Sequence, residues 1–383
     1  MYRLAIYETT GTTTPKTTLF EGDFRVERWS KRISAPGKLA FSMYAFHAKA
    51  TEDNLLPYRR VELLRRDSSG TYQKVWFGYI EAYKQIGINV EVICQGMLNL
   101  FKKRFTAAST SFTGQGSTEA FGLLTDTNND DGATGITTGS GGVTTTRNLT
   151  IGRTDLLRAW EYLAKAHTAE FEINDNGVFD FVSTLGSDKS GTLTLRFRRD
   201  GEPGSGIRDI RLGADGEPMV NRVIGHSSVG GGISYQYDNA TSQATYGVLI
   251  EHKTFNEAQN ISTLTPMTTV YGTQRANPAP DFRIEPELES QKVDPVSGTR
   301  TLSGLSVEDI VVGDLITADI LSENQTVSAT KRIVEIVVEV DDSGKERLLL
   351  TLSESGIFIS ASYLDESFAD DIKRRLRDAE ALL

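Results

Sequence analysis

A single cysteine, Cys94, leaves no partner for an intramolecular disulfide and no cysteine-based metal cage. Histidine is also scarce. His47, His167, His226 and His252 stand far apart in sequence, and no His-Glu-x-x-His pattern occurs. Long apolar runs are missing, so no membrane-spanning helix is expected. The first ten residues, MYRLAIYETT, lack the apolar core of a secretory leader, which implies synthesis in the cytoplasm. Positive charge is in deficit, with 41 Lys and Arg against 51 Asp and Glu and a net charge of −10. A chain so charged is not built to grip phosphates electrostatically.

Catalytic signatures are absent too. There is no Gly-x-Ser-x-Gly elbow and no Cys-x-x-Cys. The Gly-rich stretch Gly114 to Thr118 lacks the Lys-Ser/Thr of a phosphate-binding loop and does not open from a strong strand. Carboxylates abound, yet no pair stands in an aromatic, apolar setting that would raise a pKa. Trp29, Trp76 and Trp160 fit core or interface positions better than sugar platforms. Asp126, Asn128 and Asp130 have the spacing of a calcium loop, but Asp131 stands where Gly is needed and Thr137 where Glu is needed. The sequence therefore names no catalytic, cofactor-binding or metal-binding residue, and no cofactor.

What is present is β pattern and turns. The 383 residues suffice for two to four domains at roughly 100–200 residues each. The 35 glycines, with abundant Ser and Thr, point to frequent turns. Residues 1–104 read as a β unit. Tyr2, Leu4 and Ile6 alternate with Arg3 and Ala5, and Leu39, Phe41 and Met43 form another apolar phase. Val75 to Tyr83 is strongly β-prone, and Ile88, Val90, Val92 and Cys94 alternate after a break at Gly87. Cys94 lies on the apolar phase and reads as a core thiol.

Residues 105–190 read as an α+β domain. A short helix capped by Ser117 is followed by a polar loop from Asp126. A second helix spans Thr154 to His167, with Thr154 as its cap and Leu156, Trp160, Leu163, Ala164 and His167 on one face. Strands Glu170 to Ile173 and Val178 to Val182 then flank the turn Asn174 to Gly177. Residues 191–300 read as a β-rich domain, with strands over 192–198, 220–224, 233–237 and 246–251. Proline-bearing extended connections follow over 255–300. Residues 301–366 form a second β unit, with strands at Val311 to Ile316, Arg332 to Val340 and Arg347 to Leu352. An amphipathic helix, residues 367–383, carries Phe368, Ile372, Leu376, Ala379 and Leu383 on one stripe.

The order of these features resembles that of baseplate hub or tail-tip proteins of tailed bacteriophages, including the structural N-terminal region of siphophage tail-associated lysins. Val61 to Ile80 is similar to that family's strand, turn and F-x-G-x-I return strand, with Phe77, Gly78 and Ile80 here. Leu156 to Asp180 resembles its helix and acidic hairpin, the hairpin being Glu170 to Phe179. Leu185 to Ser190, Val220 to Val223, Val311 to Asp314 and the turn Asp341 to Gly344 resemble later landmarks.

The resemblance implies a mainly β fold: two small tube-type β-barrels, peripheral α+β domains and a C-terminal helix. It implies a homotrimer whose barrels alternate around a ring docked on a tail tube, with DNA only in transit. Implied partners are a distal tail protein, the tube ring, the tape-measure C-terminus and downstream tip or fibre proteins, all in the virion. Tail lysins continue into a peptidase or glycosidase domain, whereas this sequence ends after its second β unit and a short helix, so a hub without lytic activity is expected. A tail-associated cell-wall glycosidase and a receptor- or carbohydrate-binding β module are the alternatives.

Overall fold

The computed structural model describes residues 2–9, 11–67, 69–107, 109–198, 207–216, 218–229, 232–286, 288, 290–293, 300–303, 305–321 and 326–354. The chain begins with seven strands: β1 (Tyr2–Tyr7), β2 (Pro15–Leu19), β3 (Arg25–Arg32), β4 (Lys38–Tyr44), β5 (Arg60–Arg66), β6 (Tyr72–Ile86) and β7 (Asn89–Gly96). A single-turn helix, α1 (Glu52–Leu55), sits between β4 and β5. The strands are antiparallel in the order β2-β1-β5-β6-β7-β4-β3. Alternation explains the sheet: Leu39, Phe41 and Met43 of β4 and Val90, Val92 and Cys94 of β7 are buried on one face. Gly87, at φ +59, turns β6 into β7 in a conformation that favours glycine.

The next segment holds β8 (Ser109–Phe112), α2 (Gly116–Asp130), β9 (Thr137–Gly141), β10 (Leu149–Gly152), α3 (Leu156–His167), β11 (Glu170–Ile173) and β12 (Val178–Val182). It has its own core. Trp160 of α3 is fully buried, stacks on Phe179 with ring centroids 4.4 Å apart and meets Phe101 edge-on at 4.7 Å. Its indole N–H donates to the Ala120 carbonyl at 3.1 Å. The β11–β12 hairpin forms as the turn sequence predicts. The Asn174 side chain accepts from the N–H groups of Asn176 and Val178, and Gly177 takes a positive φ.

The chain continues through β13 (Thr194–Arg198), β14 (Ile207–Asp215), β15 (Arg222–Ser227), β16 (Ile233–Asp238), α4 (Ala240–Tyr246), β17 (Ile250–Thr254), α5 (Ile261–Arg275), β18 (Ala279–Pro286), β19 (Ser290–Val293) and β20 (Arg300–Ser303). It ends its described part with β21 (Leu315–Leu321), β22 (Thr326–Val340) and β23 (Glu346–Glu354). Strands β14-β18-β23-β22-β21-β13 form a second sheet unit, and its two end strands come close to each other. β15, β16 and β17 form a separate small sheet with α5 against one face.

Strand β22 also pairs with β3, which joins both β units into one 13-stranded sheet over a shared apolar core. The fold is thus mainly β with α+β insertions. A second apolar core unites the α2–α3 segment with α5.

Several expectations change. The cap of α3 is Asp155 and not Thr154; its carboxylate accepts the Arg158 N–H at 3.0 Å. Ser117 is not a cap either. The helix begins one residue earlier, and the Ser117 hydroxyl instead donates to Phe181 and accepts from Gly142 and Val143. Residues 255–300 are not only extended. α5 runs through Pro266, which cannot donate to the carbonyl four residues back. Burial of Leu264, Met267 and Val270 and an Asn260 cap hold it. Residues Val311 to Asp314 form a turn in which the Asp314 carboxylate accepts the Val311 N–H, and the strand starts at Leu315. Likewise Tyr246 ends α4, and the following strand begins at Ile250. The helix expected over 367–383 lies outside the described residues.

Candidate functional site

The residues weighed for chemistry fall mostly in the interior. Cys94 is fully buried, and burial pushes its thiol up. Trp29, Trp76 and Trp160 are each at most 2% exposed, which removes them as sugar platforms. Trp29 donates to the Tyr2 hydroxyl at 3.1 Å. Asp126, Asn128 and Asp130 lie along helix α2 and not in a loop, so their spacing spreads them around a helix instead of converging them. His167 is buried. Its Nδ1 meets the Thr145 hydroxyl at 3.2 Å, and burial, reinforced by Arg147, pushes the imidazole down to about 4. Among the described residues, no three His, Cys, Asp or Glu side chains converge as metal ligands.

The polar groups that do converge are clamps between units, and sequence alone pointed to none of them. Along the β3–β22 ladder the basic residues sit on one strand and the acidic ones on the other. Arg32 faces Glu335 with an Nε–Oε1 distance of 2.6 Å, Arg28 faces Glu339 at 3.7 Å, and Arg25 reaches Asp342 at 2.7 Å. The Glu335 carboxylate also accepts the Thr351 hydroxyl at 3.2 Å. Arg65 of β5 makes a forked contact with Glu346 of β23 and pairs with Glu308. Burial opposes the Glu346 charge, but Arg65 holds its carboxyl below the usual range.

A second clamp ties β22 to the α+β segment. Arg332 grips the Glu170 carboxylate with both terminal nitrogens, Nη2–Oε2 being 2.6 Å. It also donates to the Leu185 carbonyl at 2.9 Å and the Gly313 carbonyl at 3.1 Å. The Leu185 N–H returns to Glu170 at 2.8 Å. Beside it, the buried Asp314 carboxylate accepts the Ser187 N–H and the Lys189 ammonium, each at 2.8 Å. Gly186 and Gly313 both have positive φ, and a Cβ on Gly186 would stand 2.2 Å from the Gly313 carbonyl carbon. Glycine lets the two backbones meet there. These carboxylates are held by guanidinium, ammonium or backbone N–H groups, so the arrangement fixes geometry and is not poised to transfer protons.

The surface offers an apolar rim at one end of the first β unit. Phe46 is 74% exposed and packs beside Tyr44, with ring centroids 5.3 Å apart. The Ala45 N–H donates to the carbonyl of Ile88, itself 58% exposed. The neighbouring β2–β3 corner presents Phe20, with the Lys49 ammonium 5.2 Å above its ring. Asp23 fixes that corner by accepting from the Phe20 N–H at 3.0 Å and pairing with Lys49 at 2.7 Å. Together these side chains form an exposed apolar patch at that end of the unit. No helix among the described residues is long and apolar enough to cross a membrane.

No protein-family model and no curated protein matches the chain. Solved structures do. The tail protein from Neisseria meningitidis MC58 is 10% identical with a TM-score of 0.61, over 93% of this chain and 97% of that one. The prophage MuSo2 43 kDa tail protein from Shewanella oneidensis is 12% identical with a TM-score of 0.59, over 92% and 98%. Prophage tail protein gp18 from Listeria monocytogenes EGD-e is 9% identical with a TM-score of 0.57, over 97% and 99%. The chain has the fold of these tail proteins across nearly its whole length.

Proposed function

We propose that this chain is a structural, non-enzymatic protein of a phage tail, and that three copies form a hub at the tail tip that lets DNA pass. The observation that carries this reading is the shared fold, which extends end to end over three tail proteins and not over one module of them. In this reading residues 1–104 and the sheet of β13, β14, β18 and β21–β23 are the ring-forming units, so the expected boundary at 300 shifts; residues 105–190 and the β15–β17 sheet with α5 are outer domains. The charged β3–β22 ladder supports it, because a ring under load needs its two wall units held in fixed register. The apolar rim of Tyr44, Phe46 and Ile88 supplies a docking face for a neighbouring copy, the tube ring or a distal tail protein. Tape-measure and downstream tip or fibre proteins are the remaining partners, in the virion.

Mass photometry of the purified chain, with cryo-electron microscopy of particles, tests this. A species of three chains and density for the fold at the tail tip are expected. A chain that stays monomeric at high concentration and is absent from particles overturns the hub reading, as does clearing of peptidoglycan in a zymogram.

A further inference from the structure

The small sheet β16-β15-β17 has α5 against one face and, among the described residues, leaves the other open. That open face carries Arg222, Ile224 and His226 on β15, with Ile250, His252 and Thr254 on β17. In the parallel ladder His252 lies opposite Ile224 and His226 opposite Thr254, so the two histidines are diagonal neighbours on adjacent strands. His226 Nε2 stands 3.0 Å from His252 Nδ1. The ring planes are 5° from parallel with centroids 5.3 Å apart. Rings stacked face to face need a separation of about 3.5 Å. A nitrogen contact shorter than that means the rings meet edge to edge, one N–H donating to the other ring's lone pair.

We propose that His226 and His252 form a two-imidazole chelate for a divalent transition-metal ion of the copper(II) or nickel(II) class. Imidazole nitrogen is a preferred donor for these ions, and both accept square-planar sites. With metal–nitrogen bonds of about 2.0–2.1 Å, two donors at a right angle stand about 2.9 Å apart. The two nitrogens already have that spacing. Each ring has only to tilt so that its lone pair points at the ion, and the shared proton moves through solvent to the outward nitrogen of its own ring. His252 is exposed, so the tilt meets no packed core, and water completes the coordination.

The platform is firm. α5 lies so close to β15 that a Cβ on Gly225 would stand 2.0 Å from the Thr268 hydroxyl. Arg222, on the same face, is paired with Asp238 at 2.6 Å, which limits its repulsion of a metal.

Copper(II)–iminodiacetate is the probe, because its chelator leaves room for two protein donors and disfavours lone surface histidines. Titration into the full chain, read by electron paramagnetic resonance, is expected to give one complex per chain coordinated by two imidazoles. His226→Ala and His252→Ala are each expected to weaken binding at least tenfold with unchanged thermal unfolding, whereas His47→Ala leaves it intact. Coordination by one imidazole, or affinity that survives both substitutions, overturns the site. Absence of binding at millimolar probe does so too. None of these outcomes depends on whether the chain forms a tail hub.

Discussion

The aromatic core around Trp160 and the charged clamps at Glu335 and Glu170 are both buried, yet they hold the molecule in different ways. The first is local: α3 and the hairpin that follows it fold onto each other within one short stretch, through rings that need only size and shape. The second is remote. Arg32 finds Glu335, and Arg332 finds Glu170, across more than a hundred residues. Apolar packing tolerates substitution if volume is kept, whereas a buried charge tolerates no loss of its partner. The core therefore makes a domain, and the clamps set how domains meet.

That contrast can be broken most severely at Arg332. Arg332→Met leaves the Glu170 carboxylate buried without its guanidinium, and the expected loss is about 5 kcal/mol in chemical denaturation. The double variant Arg332→Met with Glu170→Leu is expected to regain most of it, because no unpaired charge remains. A double variant as weak as the single one would show that the pair contributes packing and not charge compensation.

Trp160→Ala sharpens the other side. It is expected to cost about 4 kcal/mol, because the aromatic cavity lined by Phe101, Phe171 and Phe179 cannot collapse. Hydrogen exchange is expected to rise across α2, α3 and β12 before it rises in β4 and β7. Equal loosening of both cores would contradict their separation.

The smallest effect is in pH. Burial pushes the Glu172 carboxyl up to about 7, with Lys31 acting in the opposite direction. Its folded value exceeds the ordinary value of about 4.3, so the folded state holds the proton more tightly. This contribution is fully present at low pH and is lost as pH rises through about 7. His167 has the opposite sign: its value is depressed, so its contribution is lost as pH falls towards about 4. Relative to the parent chain, Glu172→Gln is expected to remove one downward contribution to the slope of stability against pH between about pH 4.5 and 7, a window in which His167 contributes an upward one. An unchanged slope in denaturation curves would remove Glu172 as the source of that contribution.

Much of the fold was legible because alternation and turn chemistry are local. Leu39, Phe41 and Met43, or Asn174 and Gly177, state their roles within a few residues. α5 was hidden because Thr and Gly share its buried side with Leu264 and Met267, which leaves no apolar stripe to read. The polar stretch from Asp126 read as a loop, yet Asp126 to Asp130 continue helix α2, because polar residues on an exposed helix face carry no apolar stripe.

By itself, the sequence determined the β-rich character, the α3–hairpin landmark and the lack of catalytic motifs, since each rests on short-range periodicity or residue type. Only the tertiary structure decided that β22 pairs with β3, that Arg332 seals Glu170, and that two histidines 26 residues apart share a hydrogen bond. Those contacts depend on strand order, and strand order is settled by which distant faces can be buried together.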